Sequence, residues 1–376
     1  MDFGQHVERR GTDSLKWDLY PDDVLPLWVA DMDFPSPPAV IEALEKRASH
    51  GIFGYSLPPA SLKEAIVERA EARYDWLVQR EWIVFLPGVV PGLTVTTEAF
   101  SAPGEAVMTI VPAYPPFLEV PPARGRRLIS VPAVLMDGRW QLPLDDMEAA
   151  VTPDTRLLLF CHPHNPLGRV WSADEVAAVV DFCRRHGLVL CSDEIHCDLI
   201  LDDVQHVPTS SLGAEADEVT VTLLSPSKTF NLPGLNFAYA IIPDAELRRR
   251  FKEAADGWLP LPGCFAVTAA EAAYRHGDDW HDELIAYLRA NRDLLEAFVR
   301  DELPGVRLTH VEATYLAWLD VSGCGVADAA KACRQARLAL SAGDAFGDGG
   351  GMRLNFGCPR DTLEEALRRL RSALAP

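Results

Sequence analysis

The sequence contains no apolar run approaching the ~20 residues that a membrane-spanning helix requires, so a membrane partner is not expected. Positive charge is also scarce. Lysine and arginine number 35 against 55 aspartates and glutamates, giving a net charge of −20 and a pI near 4.9. Such an acidic chain offers no nucleic-acid surface. Internal repeats and low-complexity tracts are missing. Residues Met1–His6 have neither the basic cluster nor the apolar core of a secretory leader, and a cytoplasmic location is the expectation. The eight cysteines (161, 183, 191, 197, 264, 324, 333 and 358) are scattered, several inside apolar runs. They read as small buried hydrophobes in a reducing compartment, not as a disulfide framework. What is present is 376 residues, 48% hydrophobic and 24% charged. That is a globular composition too long for one ordinary core, and about two domains are expected.

The first 40 or so residues are irregular, and 25–35 read as an extended segment because prolines and acids interrupt any helix. Apolar, β-branched runs predict seven strands, over 82–86, 106–111, 127–131, 155–161, 188–192, 219–224 and 237–242. Helical patterns occupy 38–49, 62–74, 93–100, 145–151 and 172–186, the last with Ser172 and Glu175 spaced as a capping box. Residues 87–92 read as a turn before the helix at 93. Fully apolar strands joined by helices predict an α/β fold with a mostly parallel seven-stranded sheet covered on both faces. After about residue 275 the character changes. A long charged helix over 281–302, strands at 307–310, 314–319 and 352–356, and helices over 327–337 and 361–375 predict a smaller α+β domain. The expected division is an N-terminal segment 1–48 packed with the small domain, a large domain 49–276 and a C-terminal domain 277–376.

The residues with chemical potential fall at strand ends, where sheets of this kind bind ligands. Lys228 follows the strand 219–224, flanked by Ser225 and Ser227. A buried ammonium is costly unless paired or deprotonated, and a neutral lysine amine forms Schiff bases with carbonyls such as that of pyridoxal phosphate. The bland reading is an exposed turn with capping serines. The amides of Gly88, Val89 and Val90 point an unfilled helix start at an anion, a feature common to many helices. Tyr114 stands past another strand end, where it stacks on a ring or simply packs. Asn165 lies in the turn Asn165-Pro166-Leu167-Gly168. His162 and His164 beside it lack a third ligand at metal spacing. Asp193 ends a very apolar strand and needs a cationic partner such as a protonated pyridine nitrogen, or it caps a helix. Arg353 in an apolar strand suits bidentate recognition of a carboxylate, or pairs with a local acid.

Taken in order, these stretches resemble the fold-type I pyridoxal phosphate enzymes of the aminotransferase class I and II superfamily. More narrowly, the chain resembles their cystathionine β-lyase (carbon–sulfur β-lyase) branch, through 25–34 (LPLWVADMDF), 51–55 (GIFGY), 192–196 (SDEIH), 225–231 (SPSKTFN), 312–320 (EATYLAWLD) and 353–360 (RLNFGCPR). The resemblance implies that Lys228 is catalytic and carries the cofactor, Asp193 pairs with its ring nitrogen, and Asn165 bonds its 3-oxygen. Tyr114 would stack on the ring, and His196 would stand beside it. Val89, Val90, Ser225 and Ser227 would hold the phosphate, with Tyr55 reaching the phosphate of a neighbouring subunit in a homodimer. Arg353, with Ala30, Asn165 and Tyr114, would bind the amino-acid substrate. His196 stands where many aminotransferases carry tyrosine. No arginine occurs over 231–236 to meet the phosphate, and Leu167 replaces the usual threonine. The implied activity is β-elimination from cystathionine or another S-substituted L-cysteine to thiol, pyruvate and ammonia. Transamination, deamination or decarboxylation on the same scaffold remain open, as does the size of the leaving group.

Overall fold

Short runs with apolar residues on both faces of the pleat build the centre of the computed structural model, which describes residues 1–375. Strands β1 (Ile83–Leu86), β2 (Ala106–Val111), β3 (Arg127–Pro132), β4 (Thr155–Cys161), β5 (Val189–Asp193), β6 (Thr220–Leu224) and β7 (Ala238–Ile241) form one sheet in the order β1-β7-β6-β5-β4-β2-β3. Only β7 runs antiparallel to its neighbours. Alternation along each strand sends neighbouring side chains to opposite faces. Val107, Leu157 and Val221 meet the helices Val89–Phe100 and Ala245–Ala255, while Met108, Leu158 and Leu190 meet Ala173–His186. Burial on both faces explains why these strands are legible as unbroken apolar runs.

The C-terminal part carries an antiparallel sheet of β8 (Arg307–Leu308), β9 (Leu316–Asp320), β10 (Ser341–Ala342) and β11 (Gly351–Asn355), in the order β8-β9-β11-β10. Helices Asp278–Glu302 and Arg360–Leu374 pack in the same core. The extended N-terminal segment joins this part, because Leu25–Pro26 pairs in parallel with Leu338–Ala339. Seven of the eight cysteines are buried, Cys264 being the partly exposed one.

Several boundaries differ from the sequence reading. The capping box at Ser172 and Glu175 is present in both directions. The helix expected from residue 93 begins at Val89 instead, with Gly88 at its N-cap. Pro91 is accommodated because first-turn positions have no intrahelical acceptor for an N–H. Val89 and Val90 therefore belong to the first helical turn, not to a preceding loop. Among the described residues, three helices of more than two turns escaped the sequence reading, Pro115–Ala123, Ala245–Ala255 and Cys264–His276, as did the single turns Leu15–Asp18 and Ala214–Asp217. The first is masked by its own composition, with prolines at its start and at 121 and 122 near its end.

Candidate active site

All the parallel strands that contribute chemistry do so at their carboxyl ends, on one edge of the sheet. β1 leads into Gly88 and the helix from Val89, β2 into Tyr114, and β4 into Asn165; β5 ends at Asp193, and β6 leads into Ser227 and Lys228. Together with Ala30 and His196 these residues line one cavity of about 320 Å³. Nine of the residues singled out from sequence thus converge: Ala30, Val89, Val90, Tyr114, Asn165, Asp193, His196, Ser227 and Lys228.

Lys228 Nζ donates to the Ala30 carbonyl at 2.7 Å. Burial and the nearby Arg353 guanidinium lower its pKa to about 8, against the pull of Asp31 and Asp193. A sizeable neutral fraction, and so a nucleophilic amine, exists near neutral pH. Asp193 is 3% exposed. One carboxylate oxygen accepts the Ile195 N–H at 3.1 Å, and among the described residues it has no ion-pair partner. Burial pushes its pKa up to about 7, even with the Lys228 charge opposing. His196 is driven down to about 3 by burial, with Lys228 and Arg353 adding to the effect, so its ring is neutral. Its Nδ1 is buried without a partner.

Arg353 lies on β11, inside the sheet and one strand from its edge. Nη1 donates to Asn165 Oδ1 at 3.1 Å and Nη2 to the Trp28 carbonyl at 2.8 Å. The guanidinium sits 4.9 Å from the centre of the Phe346 ring, and burial lowers its pKa to about 10. Nε has no partner, and no acid among the described residues pairs with it. A desolvated, unneutralised guanidinium of this kind has the chemistry to take a carboxylate ligand. Leu167, the departure from the usual threonine, packs with Trp318 and Phe346, and so stands behind the ring on which Arg353 rests.

Three expected site residues do not line the cavity: Arg353, which reaches it through its bond to Asn165, and two that lie elsewhere in this chain. Ser225 is behind the cavity, donating to the Phe237 carbonyl at 2.6 Å and accepting the Ser227 N–H at 3.0 Å. Tyr55 is fully exposed and borders a separate hollow of about 780 Å³ with Phe53, Leu57 and 260–266. His162 and His164 each spend Nε2 on a carbonyl, of Val207 and Pro112. Sequence reasoning gave no role to Asn231 and Asn355. Asn231 clamps Met32 and Phe34, and Asn355 clamps Val29 and Asp31, fixing the segment that presents Ala30. Both stand inside the phrases that carried the resemblance, the only signal that marked them.

The donor set suits pyridoxal phosphate. A buried acid lacks a cation, a helix start has no side-chain cap, a hydroxyl and an aromatic ring line the wall, and a depressed amine faces inward. These answer, in turn, a protonated ring nitrogen, a phosphate, a planar ring and an aldehyde.

The sequence matches the family described as aminotransferase class I and II over residues 22–370. The chain belongs to this family. Its relatives include cystathionine beta-lyase PatB of Bacillus subtilis (strain 168), 41% identical with each chain covered in full. Among solved structures, OvoB shares 45% identity at a TM-score of 0.97, covering 100% of this chain and 99% of that one. Cystalysin from Treponema denticola, which contains a pyridoxal 5'-phosphate cofactor, shares 32% identity at a TM-score of 0.94, covering 99% and 98%. These two solved structures thus share the whole architecture, N-terminal segment included.

Proposed function

We propose that the chain is a pyridoxal phosphate-dependent carbon–sulfur β-lyase acting on cystathionine or a related S-substituted L-cysteine. The observation that carries this reading is a cavity lined by a depressed Lys228 amine and a buried Asp193 without a cation, with an Arg353 without an anion bonded to its Asn165 wall. The full-length likeness to cystathionine β-lyases supports elimination over transamination.

When bound, the cofactor supplies a carbonyl for the substrate amine and a ring that takes up an electron pair from Cα. The chain does the rest. Val89 and Val90 amides with the Ser227 hydroxyl hold the phosphate, and Ser225 steadies Ser227. Asp193 keeps a proton on the ring nitrogen, Asn165 faces the 3-oxygen, and Tyr114 and neutral His196 pack beside the ring. Arg353 receives the substrate carboxylate, with Asn165, Tyr114 and Ala30 shaping the place it enters. The Lys228 amine then takes the Cα proton. The Cβ–S bond breaks, thiol departs, and the three-carbon remainder hydrolyses to pyruvate and ammonia. Incubation with L-cystathionine or an S-alkyl cysteine is expected to release thiol, pyruvate and ammonia without any added 2-oxo acid. Turnover that requires a 2-oxo acid and conserves the amino group overturns the lyase reading.

The division into 1–48, 49–276 and 277–376 is supported by the two separate sheets. A homodimer is supported by the exposed Ile52, Phe53, Tyr55, Leu57 and Leu261, an apolar cluster of the kind that subunits cover; Tyr55 would there reach the partner's phosphate. No helix among the described residues is long and apolar enough to cross a membrane, and the buried free thiols suit a cytoplasmic setting. Sedimentation at twice the 41.4 kDa chain mass and recovery in the cytosolic fraction are expected. A monomer, or export from the cell, removes the corresponding part.

A further inference from the structure

The Ala30 carbonyl is an acceptor shared by two side chains from distant parts of the sequence. Lys228 Nζ donates to it at 2.7 Å, and the Tyr315 hydroxyl donates to it at 3.0 Å. A carbonyl oxygen has two lone pairs, so both bonds are served at once. The peptides on either side are fixed as well. Asn355 Nδ2 donates to the Val29 and Asp31 carbonyls at 2.7 and 2.6 Å, and Arg353 holds the Trp28 carbonyl. Ala30 is therefore a rigid post, and Tyr315 is the side chain that sets its oxygen.

Tyr315 itself is 1% exposed and does not line the cavity. Burial, with Asp31 nearby, pushes its pKa upward against the opposing Arg353 charge, so it stays a proton-bearing donor. Its hydroxyl touches the reaction through Ala30 and Lys228, while its ring meets the His196 ring edge-on at 6.3 Å, a contact that a phenylalanine would keep.

We infer that Tyr315 is a positioning residue for the Cα proton transfer: by anchoring the Ala30 carbonyl it makes that oxygen hold Lys228 by one N–H, leaving the amine lone pair aimed into the cavity. In the transfer the Cα–H bond breaks and an N–H bond forms on Nζ. The electron pair stays with the substrate carbon, and the new ammonium keeps its bond to Ala30. This rests on the lyase reading only in that Lys228 is the base.

The test is Tyr315→Phe in the cofactor-loaded protein, with an S-alkyl cysteine carrying protium or deuterium at Cα. kcat is expected to fall by about ten- to a hundredfold, up to the scale of a reacting group misplaced by about 1 Å, with KM within about twofold. The deuterium effect on kcat rises, because proton transfer becomes slower relative to the other steps. The visible cofactor band and Tm are unchanged. The acid limb of the kcat–pH profile moves to higher pH, since a carbonyl relieved of the phenol donor holds the ammonium better. A second readout needs no turnover. In cofactor-free full-length chain, reductively methylated with ¹³C-formaldehyde, the NMR titration of the Lys228 methyl signal moves upward in the variant. Unchanged kcat and isotope effect overturn the proposal, as does an unmoved Lys228 titration. Loss of the cofactor band or of folding in the Phe variant also overturns it, by making Tyr315 a cofactor-site or structural residue. Failure of the parent reading is seen separately, as wild-type protein that forms no thiol and pyruvate.

Discussion

Lys228→Ala is expected to lower kcat by at least about 10⁴-fold, the upper range for a lost acid–base group, without unfolding the protein. On the proposed reading two functions vanish together: the amine that attaches the cofactor and the base that takes the Cα proton. The fold should tolerate the change. The amine is desolvated, which lowers its pKa to about 8, and the Ala30 carbonyl keeps its bond from Tyr315. The segment 27–33 also keeps its clamps from Asn355 and Asn231. Asp193, Ser227 and the helix start at Val89 remain, so the variant still takes up cofactor, now without covalent attachment. Borohydride treatment followed by denaturation and gel filtration is the check. Wild type retains the label on the peptide containing Lys228, and the variant loses it. Lys228→Arg separates charge from reactivity, because a guanidinium keeps the cation yet stays protonated. It should be as inactive as the alanine variant. Residual activity within tenfold of wild type, or a label fixed elsewhere, removes Lys228 from its place.

Why this site could be found in the sequence follows from how the sheet is built. β4, β5 and β6 are buried on both faces, so each reads as an apolar run, and its end is marked by the first group that needs a partner. Asp193 and Lys228 are such groups, and Asn165 begins a turn whose composition announces it. Arg353 was ambiguous between a carboxylate fork and an edge-strand ion pair. The register of β11 between β9 and β10 puts Trp318 and Ser341 opposite Arg353, which removes the ion pair and leaves the fork as the proposed role.

The unread parts share a physical cause. Asn231, Asn355 and Tyr315 act on backbone carbonyls of 29–34, from 197 to 326 residues away, and main-chain acceptors have no sequence signature. The helix onset at Val89 was obscured by Pro91, which is compatible with a first turn but suggests a loop. Pro115–Ala123 was hidden by four prolines that occupy only its terminal turns. Tyr55, carried over by resemblance alone, is exposed on this chain, and only a second subunit would give it a role.

Asp193→Asn is expected to improve the cofactor-free protein and impair the enzyme, with opposite signs for one cause. In the chain by itself the carboxyl titrates near 7 because burial disfavours its charged form, whereas in the unfolded chain it titrates near the ordinary 3.8. Between those values the folded state holds a proton that the unfolded state has released, so stability falls as pH rises. The contribution is fully present below about 4 and lost by the time pH passes 7. The interval corresponds to about 4 kcal/mol at most. Asparagine does not titrate. Denaturant melts of the cofactor-free proteins should therefore show the stability difference moving toward the variant by up to that amount from pH 4 to 8. A difference flat in pH sinks this account, since it means Asp193 ionises freely in the fold. With cofactor bound the argument reverses. On the proposed reading the carboxylate would then face a cation in a buried place, where such a pair is strong, and its charge would keep the ring nitrogen protonated. Asparagine brings a dipole of similar shape and no charge, so kcat should fall by about 10² to 10³, with KM for the S-substituted cysteine nearly unchanged because Arg353 is untouched. On this account the acid that makes the cofactor-free protein less stable at neutral pH is the one that makes the loaded site reactive.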